Sequence, residues 1–290
     1  MKAPRFSYVR ARSVEHALSL LAEHGEEARV LAGGQSLMPT LNMRLSQPKL
    51  LIDINRVEAL EGISLEGDRV RIGALARHVE VANSALVAEH LPLIAEAMPH
   101  VAHVAVRNRG TFGGSIALAD PAAELPACAL ALAATFVVAS AEGRREIAAE
   151  DYFKGLYETE RKPNELLLEA SIPARSAGSV SVFMELARRH GDFAIAGVAL
   201  HLEIARGVVT EGRLAYFGSE DRPTLSLGAL AAIRGKRPDA QSGEAAAAAL
   251  GDDLRPMSDP QASAKMRLHL QRVLTRRALE VAAKRTGVAA

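Results

Sequence analysis

Two glycine pairs, each flanked by small hydroxyl residues, are the segments of this 290-residue chain best suited to bind a ligand. The first motif is AGGQS, residues 32–36, and the second is TFGGS, residues 111–115. Glycines let a backbone approach a ligand closely, and consecutive amide groups can then form a concave site for phosphate. Each pair taken alone also fits an ordinary tight turn. Two such motifs in one half of the chain favour one phosphate-rich dinucleotide gripped from both sides.

Neither motif matches the common nucleotide signatures, since the chain has no G-x-G-x-x-G opening a Rossmann unit and no Walker loop. A nucleotide site here must therefore use another fold. Cys128 is the only cysteine, so this chain alone can form no disulfide, thiolate-bound zinc site or iron–sulfur cluster. Among alanines and leucines, it is expected to be a buried apolar residue. Any iron–sulfur centre that works with this protein must be held by another chain.

Other residues that could do chemistry fit non-catalytic roles better. Asp120 and Glu124 are four residues apart, which could indicate a general acid/base pair, but a ligand contact or a helix N-terminal charge is favoured. His100 and His103 have the spacing of metal ligands, yet no third ligand cluster accompanies them. No catalytic residue and no metal site are predicted.

Composition narrows the classes of partner and location. The net charge of +1 implies neither nucleic acid nor a membrane surface as a partner. The longest apolar stretch, 127–139, is too short to span a bilayer, so no membrane insertion is expected. The N-terminus lacks the apolar region of a secretory signal, which makes a cytoplasmic location the expectation.

The elements that must position the motifs begin with a helix capped by Ser13 and ended by Gly25. A short apolar strand at 29–32 leads into the first motif, and 50–54 fits a strand buried on both faces, giving a β-α-β-like opening. The remaining predicted elements of this half are a hairpin turning at 66–68, helices within 76–83 and 84–98, and strands near 135–139 and 166–172.

The small, polar segment 173–181 predicts a domain boundary. Strands at 182–187, 194–204 and 208–217 then predict an antiparallel sheet, and helices finish the chain, with 245–249 in an ordinary helix. Asp259 is expected to cap the last helix, with Pro260 in its first turn. Its predicted apolar stripe is Met266, Leu270, Val273, Leu274, Ala278 and Val281. Its basic residues fit either a solvated face or a subunit-docking face: Arg267, Arg272, Arg276, Arg277 and Lys284.

Four stretches together resemble the FAD-binding medium subunits of the molybdenum hydroxylases, the group that includes the carbon monoxide dehydrogenase and xanthine dehydrogenase flavoproteins. They are residues 32–57, 107–127, 183–200 and 261–279, in order and at natural spacing. The resemblance implies an α+β fold, with a two-subdomain FAD-binding domain of the p-cresol methylhydroxylase type and a C-terminal domain of antiparallel sheet and helices. The implied FAD-binding domain is 1–176, with subdomains of about 1–57 and 58–176, and the C-terminal domain is 177–290.

The resemblance also implies roles for residues. Both glycine motifs would hold the FAD pyrophosphate, Val106 and Leu168 would line the cofactor, and Phe193 would pack near the flavin ring. Asp120 and Glu124 are both candidates for a ribose or adenine-side hydroxyl. A lysine that some relatives carry near the flavin is replaced here by Met184, followed by Glu185. The implied cofactor-binding set is Ala32, Gly33, Gly34, Gln35, Ser36, Val106, Thr111, Gly113, Gly114, Ser115, Asp120, Glu124, Leu168 and Phe193.

The implied function is electron transfer. FAD in this chain would collect electrons from the iron–sulfur clusters of a small two-cluster subunit, after a large molybdopterin-binding subunit has oxidised the substrate, and would pass them to an external acceptor. Molybdopterin and iron–sulfur clusters are expected on those partners, in a dimer of heterotrimers. The alternatives are a stand-alone FAD-dependent oxidoreductase of the same superfamily and a non-enzymatic scaffold with a degenerate nucleotide site.

Overall fold

A computed structural model of the chain describes residues 2–287. The strands are β1 Ser7–Arg10, β2 Ala28–Leu31, β3 Leu50–Asp53, β4 Ile63–Glu66, β5 Arg69–Gly73, β6 Thr135–Ser140, β7 Gly143–Ala148, β8 Phe153–Gly155, β9 Glu158–Thr159, β10 Leu166–Pro173, β11 Ser179–Ala187, β12 Ala194–Ala205, β13 Val208–Phe217 and β14 Thr224–Leu225. The helices are α1 Val14–His24, α2 Leu37–Asn42, α3 His78–Asn83, α4 Ala85–His90, α5 Pro92–Ala97, α6 Val104–Arg107, α7 Phe112–Leu118, α8 Glu124–Ala131, α9 Ala149–Tyr152, α10 Leu227–Ile233, α11 Ala240–Asp253 and α12 Ala264–Arg285.

The N-terminal part is a parallel three-stranded sheet in the order β1-β3-β2, with α1 packed on it. The Ser13 side chain accepts from the His16 amide at the start of α1, and Gly25 ends the helix at φ +49°. All four residues of β3 are buried, as a central strand covered on both faces requires. The predicted β-α-β-like opening is thus confirmed. Strand β1 was not predicted, because SYVR is only four residues long and shows no alternation of apolar and polar side chains, with three of the four residues exposed.

The second sheet is antiparallel, in the order β4-β5-β10-β6-β7, and carries the short helices α3 to α5 and α7 to α9. Helix α8, which begins the long apolar stretch at 127–139, has every residue buried. It packs against α5 and α7 on its own side and against β12 and β13 of the next sheet. That double cover explains why its sequence shows no polar face. Among residues 2–287, no helix is both long and apolar enough to cross a membrane.

The C-terminal sheet is antiparallel, in the order β11-β12-β13-β14, with α10 and α12 against one face and α5 and α8 against the other. Helix α11 packs on α10 and α12. The predicted α+β architecture is therefore confirmed. Hydrogen bonds as well as apolar packing join the C-terminal sheet to helix α8 and the segment before it. Arg213 of β13 donates to the Leu130 carbonyl at 2.9 Å, and the Gly218 amide donates to the Pro121 carbonyl at 2.8 Å.

The start of the last helix differs from the prediction. Ser263, not Asp259, is its N-cap and accepts from the Met266 amide at 3.2 Å, so Pro260 lies outside the helix. Asp259 instead accepts from the amides of Gln261 and Ala262, at 2.9 and 3.0 Å. Such a local side-chain turn competes with helix formation at the same residue.

The buried face of α12 is also more polar than the predicted apolar stripe. Leu274 and Ala278 are buried as expected, but Met266 is half exposed. Gln271 is fully buried and donates to the Phe217 carbonyl and the Ser219 hydroxyl, both at 3.0 Å. Arg267, expected on a basic outer face, is buried as well. It bonds to the carbonyls of Ile195 and Gly218 and to Asp259.

Candidate functional site

The first glycine motif connects β2 to α2 at the carboxyl end of the parallel sheet. Gly34 adopts φ +71°, a conformation that favours glycine. Within residues 2–287, the amides of Gly33, Gly34, Gln35 and Ser36 donate to no protein acceptor. The segment therefore presents four successive donors that a bound anion could satisfy.

The second glycine motif is a helix start and not the loop that its sequence predicted. Thr111 is the N-cap of α7, and its hydroxyl accepts from the Gly114 amide at 3.0 Å. The amides of Phe112 and Gly113 donate to the carbonyls of Ala76 and Ala74, at 2.9 and 3.0 Å. The Ser115 amide donates to the Thr111 carbonyl at 3.1 Å. The amides of this motif are therefore hydrogen-bonded within the protein.

The first motif is in direct contact with Arg109 and Gly110, the two residues that precede the second motif. A Cβ added to Gly33 would overlap the Arg109 carbonyl and lie 2.8 Å from the Gly110 Cα, so only glycine allows this approach of two backbones. The buried His78 holds the second segment in place, since its Nε2 donates to the Thr111 carbonyl at 2.9 Å. Burial lowers the pKa of His78 to about 4, so this ring is neutral at ordinary pH.

A side-chain clamp joins the same two segments. The Asn55 amide donates to the Ala32 carbonyl at 2.8 Å and to the Leu31 carbonyl at 3.3 Å. Arg77 donates to the Asn55 side-chain oxygen at 2.7 Å and also to the Arg109 carbonyl. Asn55 follows β3 and Arg77 precedes α3, so the clamp ties the end of the three-stranded sheet to the segment before α3.

A cavity of about 520 Å³ opens beside the first motif. Its walls include the residues of that motif from Ala32 to Gln35, together with Tyr8, Asp53, Asn55 and Arg109. Asp53 ends β3 and accepts from the Tyr8 hydroxyl and from the backbone amide of Asn55. The tyrosine hydroxyl bond and the Asn55 bonds outweigh burial and lower the pKa of Asp53, which keeps it ionised.

The two acidic candidates lie after the second motif and away from this cavity. Asp120 accepts from the Ala122 amide at 2.9 Å and from the Tyr157 hydroxyl at 3.3 Å, and burial raises its pKa. Glu124 begins α8 and is 5% exposed. Burial raises its pKa to about 8, with a further contribution from nearby Glu185.

The three apolar candidates are not brought together. Val106, in α6, is half buried, and its carbonyl accepts from the Gly110 amide at 2.7 Å. Leu168 is buried in β10 within the apolar cluster that joins the first two sheets, and its carbonyl accepts from the Ala74 amide at 2.8 Å. Phe193 lies just before β12 and is 55% exposed. None of the three lines the cavity beside the first motif.

The remaining candidates of the sequence are placed as follows. Cys128 is fully buried, as expected of a small apolar residue. His100 does not pair with His103 but makes a 3.1 Å bond to Glu185 of β11. That bond raises the pKa of His100.

Sequence analysis missed Tyr8, Asp53, Asn55, Arg77 and Arg109. One signal was available, since Asp53 and Asn55 are polar residues at the carboxyl end of a buried parallel strand, where ligands of open α/β sheets bind. Arg77 and Arg109 carried no such signal. Their positions depend on the contact between two segments that are far apart in sequence.

Comparison with known proteins is consistent with this geometry. The family described as "FAD binding domain in molybdopterin dehydrogenase" matches residues 4–175, and "CO dehydrogenase flavoprotein C-terminal domain" matches residues 181–282. The chain is 39% identical to the 6-hydroxypseudooxynicotine dehydrogenase complex subunit alpha of Paenarthrobacter nicotinovorans, over 98% of this chain and 97% of that one.

Carbon monoxide dehydrogenase gives similar results. Its medium chain from Hydrogenophaga pseudoflava is 36% identical, over 97% of this chain and 98% of that one. A solved structure of the enzyme from the same organism, lacking the Mo-pyranopterin moiety of its cofactor, matches 96% of this chain and 97% of its own with a TM-score of 0.94 and 38% identity. This chain therefore belongs to the FAD-binding subunits of the molybdopterin dehydrogenases, the family of the carbon monoxide dehydrogenase medium chains.

Proposed function

We propose that this chain holds one FAD between its two glycine motifs and relays electrons from a partner's iron–sulfur clusters to an external acceptor. The observation that carries this proposal is the contact of Gly33 with Arg109 and Gly110, next to four amides that donate to no protein group within residues 2–287. A dinucleotide fits there because its diphosphate can take the amides that the fold leaves open. The flavin, when bound, accepts and passes on electrons.

The chain's own residues supply binding and orientation. The first motif offers donors to the diphosphate, and the clamp of Asn55 and Arg77 fixes the distance between the two motifs. In the second motif, the Ser115 hydroxyl is a further donor for the same cofactor. We keep as proposed contacts Ala32, Gly33, Gly34, Gln35, Ser36, Val106, Thr111, Gly113, Gly114, Ser115, Asp120, Glu124, Leu168 and Phe193.

The domain division is proposed on the same basis. The FAD-binding domain would be 1–176, with subdomains of about 1–57 and 58–176, and the C-terminal domain would be 177–290. The connection between β10 and β11, and the gap between the two family matches, both fall near the proposed boundary.

The partners are proposed from the names of relatives and from the cysteine content. Relatives are called a medium chain and a complex subunit, which supports a large molybdopterin-binding subunit and a small two-cluster iron–sulfur subunit. The buried Cys128 is the only cysteine here, so the cluster ligands must come from another chain. We propose a cytoplasmic dimer of heterotrimers. A measurement of the native mass after co-expression with the two proposed partner subunits would test that stoichiometry.

The test of the flavin site uses Gly33→Ala. The added Cβ would overlap the Arg109 carbonyl, so the two motifs must separate and FAD should be lost during purification. Gly243→Ala is the matched control. Gly243 lies in α11, and its added Cβ would lie 3.5 Å from the Arg276 Cα, which is an ordinary van der Waals contact. The visible absorption spectrum reports the flavin content of each protein, and circular dichroism reports folding.

The expected result is a flavin band in the wild type and in Gly243→Ala, and a folded but colourless Gly33→Ala. Full occupancy in all three would contradict the placement of FAD between the motifs. A wild type that never carries flavin would instead fit the scaffold alternative. Purification without molybdenum- and iron-containing partners, even from the native source, would favour a stand-alone oxidoreductase.

A further inference from the structure

The cavity beside the first glycine motif lies at the carboxyl ends of β2 and β3, and a residue of β1 also lines it. Tyr8 belongs to β1, the motif follows β2, and Asp53 ends β3. Ligands of open sheets with parallel strands bind at this edge, where loops leave a crevice. At about 520 Å³, the cavity has the size of a small-molecule site. It is therefore large enough to take a substantial part of a dinucleotide.

Three arginines surround this region, and they differ in what their guanidinium groups do. Arg77 is occupied by Asn55 and by the Arg109 carbonyl. Arg10 lies 3.4 Å from the Tyr8 hydroxyl and 3.8 Å from Asp53. Arg109 lines the cavity, yet within residues 2–287 its guanidinium makes no hydrogen bond or ion pair.

The backbone of Arg109 is fixed, although its guanidinium has no partner in the described part of the chain. Its amide donates to the Val106 carbonyl at 3.1 Å, and its carbonyl packs against Gly33 and accepts from Arg77. The side chain thus starts from a rigid backbone next to Gly33, in the wall of the cavity that the first motif also lines. A planar guanidinium in that position matches phosphate oxygens better than any other side chain.

The one carboxylate in the cavity wall does not compete for this arginine. Asp53 is already bonded to the Tyr8 hydroxyl and to both the backbone and the side-chain amides of Asn55, with Arg10 nearby. The amides of the first motif and Arg109 therefore make their side of the cavity favourable to an anion. Asp53, at the end of β3, is bonded to other groups.

We propose that Arg109 is the cationic contact of the FAD diphosphate in the cavity beside the first motif. This rests on the proposed function, since it presumes that FAD binds beside the first motif. It gives Arg109 a specific task, which is to make the site prefer a diphosphate-linked nucleotide over adenosine or riboflavin alone.

The experiment measures binding of ADP and of adenosine to the full chain from which flavin has been removed, by calorimetry at low and high salt. The variants are Arg109→Gln, Arg109→Lys and the control Arg12→Gln, which removes an exposed arginine outside the cavity wall. A charge-assisted bond to phosphate predicts roughly tenfold to hundredfold weaker ADP binding for Arg109→Gln. Arg109→Lys should retain part of the affinity, and Arg12→Gln should match the wild type.

Adenosine binding should be unchanged in every variant, and the salt dependence of ADP binding should be smaller in Arg109→Gln than in the wild type. Equal losses for adenosine and ADP, or unchanged ADP binding, would overturn the proposal for Arg109 while FAD binding by the wild type survived. A wild type that binds neither FAD nor ADP would overturn the proposed function together with it.

Discussion

Replacing Glu124 by glutamine should stabilise the folded chain at alkaline pH. The Glu124 carboxyl group is 5% exposed, and burial raises its pKa from 4.5 to about 8, with Glu185 and Asp120 adding repulsion and His100 opposing it. The folded protein therefore holds a proton on Glu124 that the unfolded chain releases above about pH 4.5. Glutamine has nearly the same shape and needs no proton.

The size of the effect follows from linkage. Between pH 4.5 and 8 the folded state binds more protons at this group, so the free energy of unfolding falls as pH rises. The difference between the two pKa values, at about 1.4 kcal/mol per pH unit, gives an upper limit of about 5 kcal/mol. Glu124→Gln should recover that amount at pH 8 and almost none of it at pH 4.5.

His78 acts in the opposite direction and sets the shape of the wild-type curve. Burial lowers its pKa from 6.5 to about 4, so the unfolded chain binds the extra proton in that interval. The free energy of unfolding therefore rises with pH up to 6.5, by about 3 kcal/mol. In the wild type the two groups offset each other between pH 4.5 and 6.5, and the fall caused by Glu124 remains between 6.5 and 8.

The assay is urea unfolding of the flavin-free full chain at pH 5, 6.5 and 8, followed by circular dichroism. Glu142→Gln is the control, because Glu142 is exposed at the turn between β6 and β7. The wild type and the control should lose more stability from pH 6.5 to 8 than Glu124→Gln, in which the raised pKa of His100 still contributes a decrease. Parallel curves for Glu124→Gln and the wild type would refute the assignment of a protonated Glu124.

Two further substitutions test the cleft and the C-terminal domain separately. Asn55→Ala removes the bonds to Ala32 and Arg77, so FAD affinity should fall by about 1–2 kcal/mol in a fluorescence titration, with little change in folding. Arg267→Met leaves two buried carbonyls without a donor and Asp259 without its partner, which should lower the free energy of unfolding by about 2–4 kcal/mol. An unchanged urea midpoint for Arg267→Met, or lost flavin affinity in it, would contradict that account.

The elements that were predictable from the sequence are those fixed by local signals. Helix α1 has a serine cap that marks its start, a glycine that marks its end, and an apolar face between them. The three signals agree with one another. Strand β3 is apolar throughout because its neighbours cover both faces, which the sequence shows directly. The antiparallel strands of the C-terminal domain were likewise readable from consecutive apolar segments with short turns.

The elements that were missed depend on tertiary contacts. Strand β1 exists because its backbone pairs in parallel with β3, more than forty positions away, from Ser7 with Leu50 to Arg10 with Asp53. The buried face of α12 contains Arg267 because the carbonyls of Ile195 and Gly218 lie opposite it. A periodicity argument assigns a charged residue to the solvent, and only the opposing backbone reverses that assignment.

The two glycine motifs show most clearly where sequence reasoning stops. Both contain a glycine that no other residue could replace, but Gly33 is required by the Arg109 backbone and Gly113 by Ala74, whose Cα would lie 2.6 Å from an added Cβ. Glycine therefore reports a close approach without naming what approaches. Only the hydrogen bonds of the backbone amides distinguish the two motifs. The amides from Gly33 onward in the first motif have no acceptor within residues 2–287, whereas those around Gly113 donate to protein acceptors. Similar motifs thus differ in their backbone bonding: the first leaves its donors open, whereas the second uses its donors within the protein.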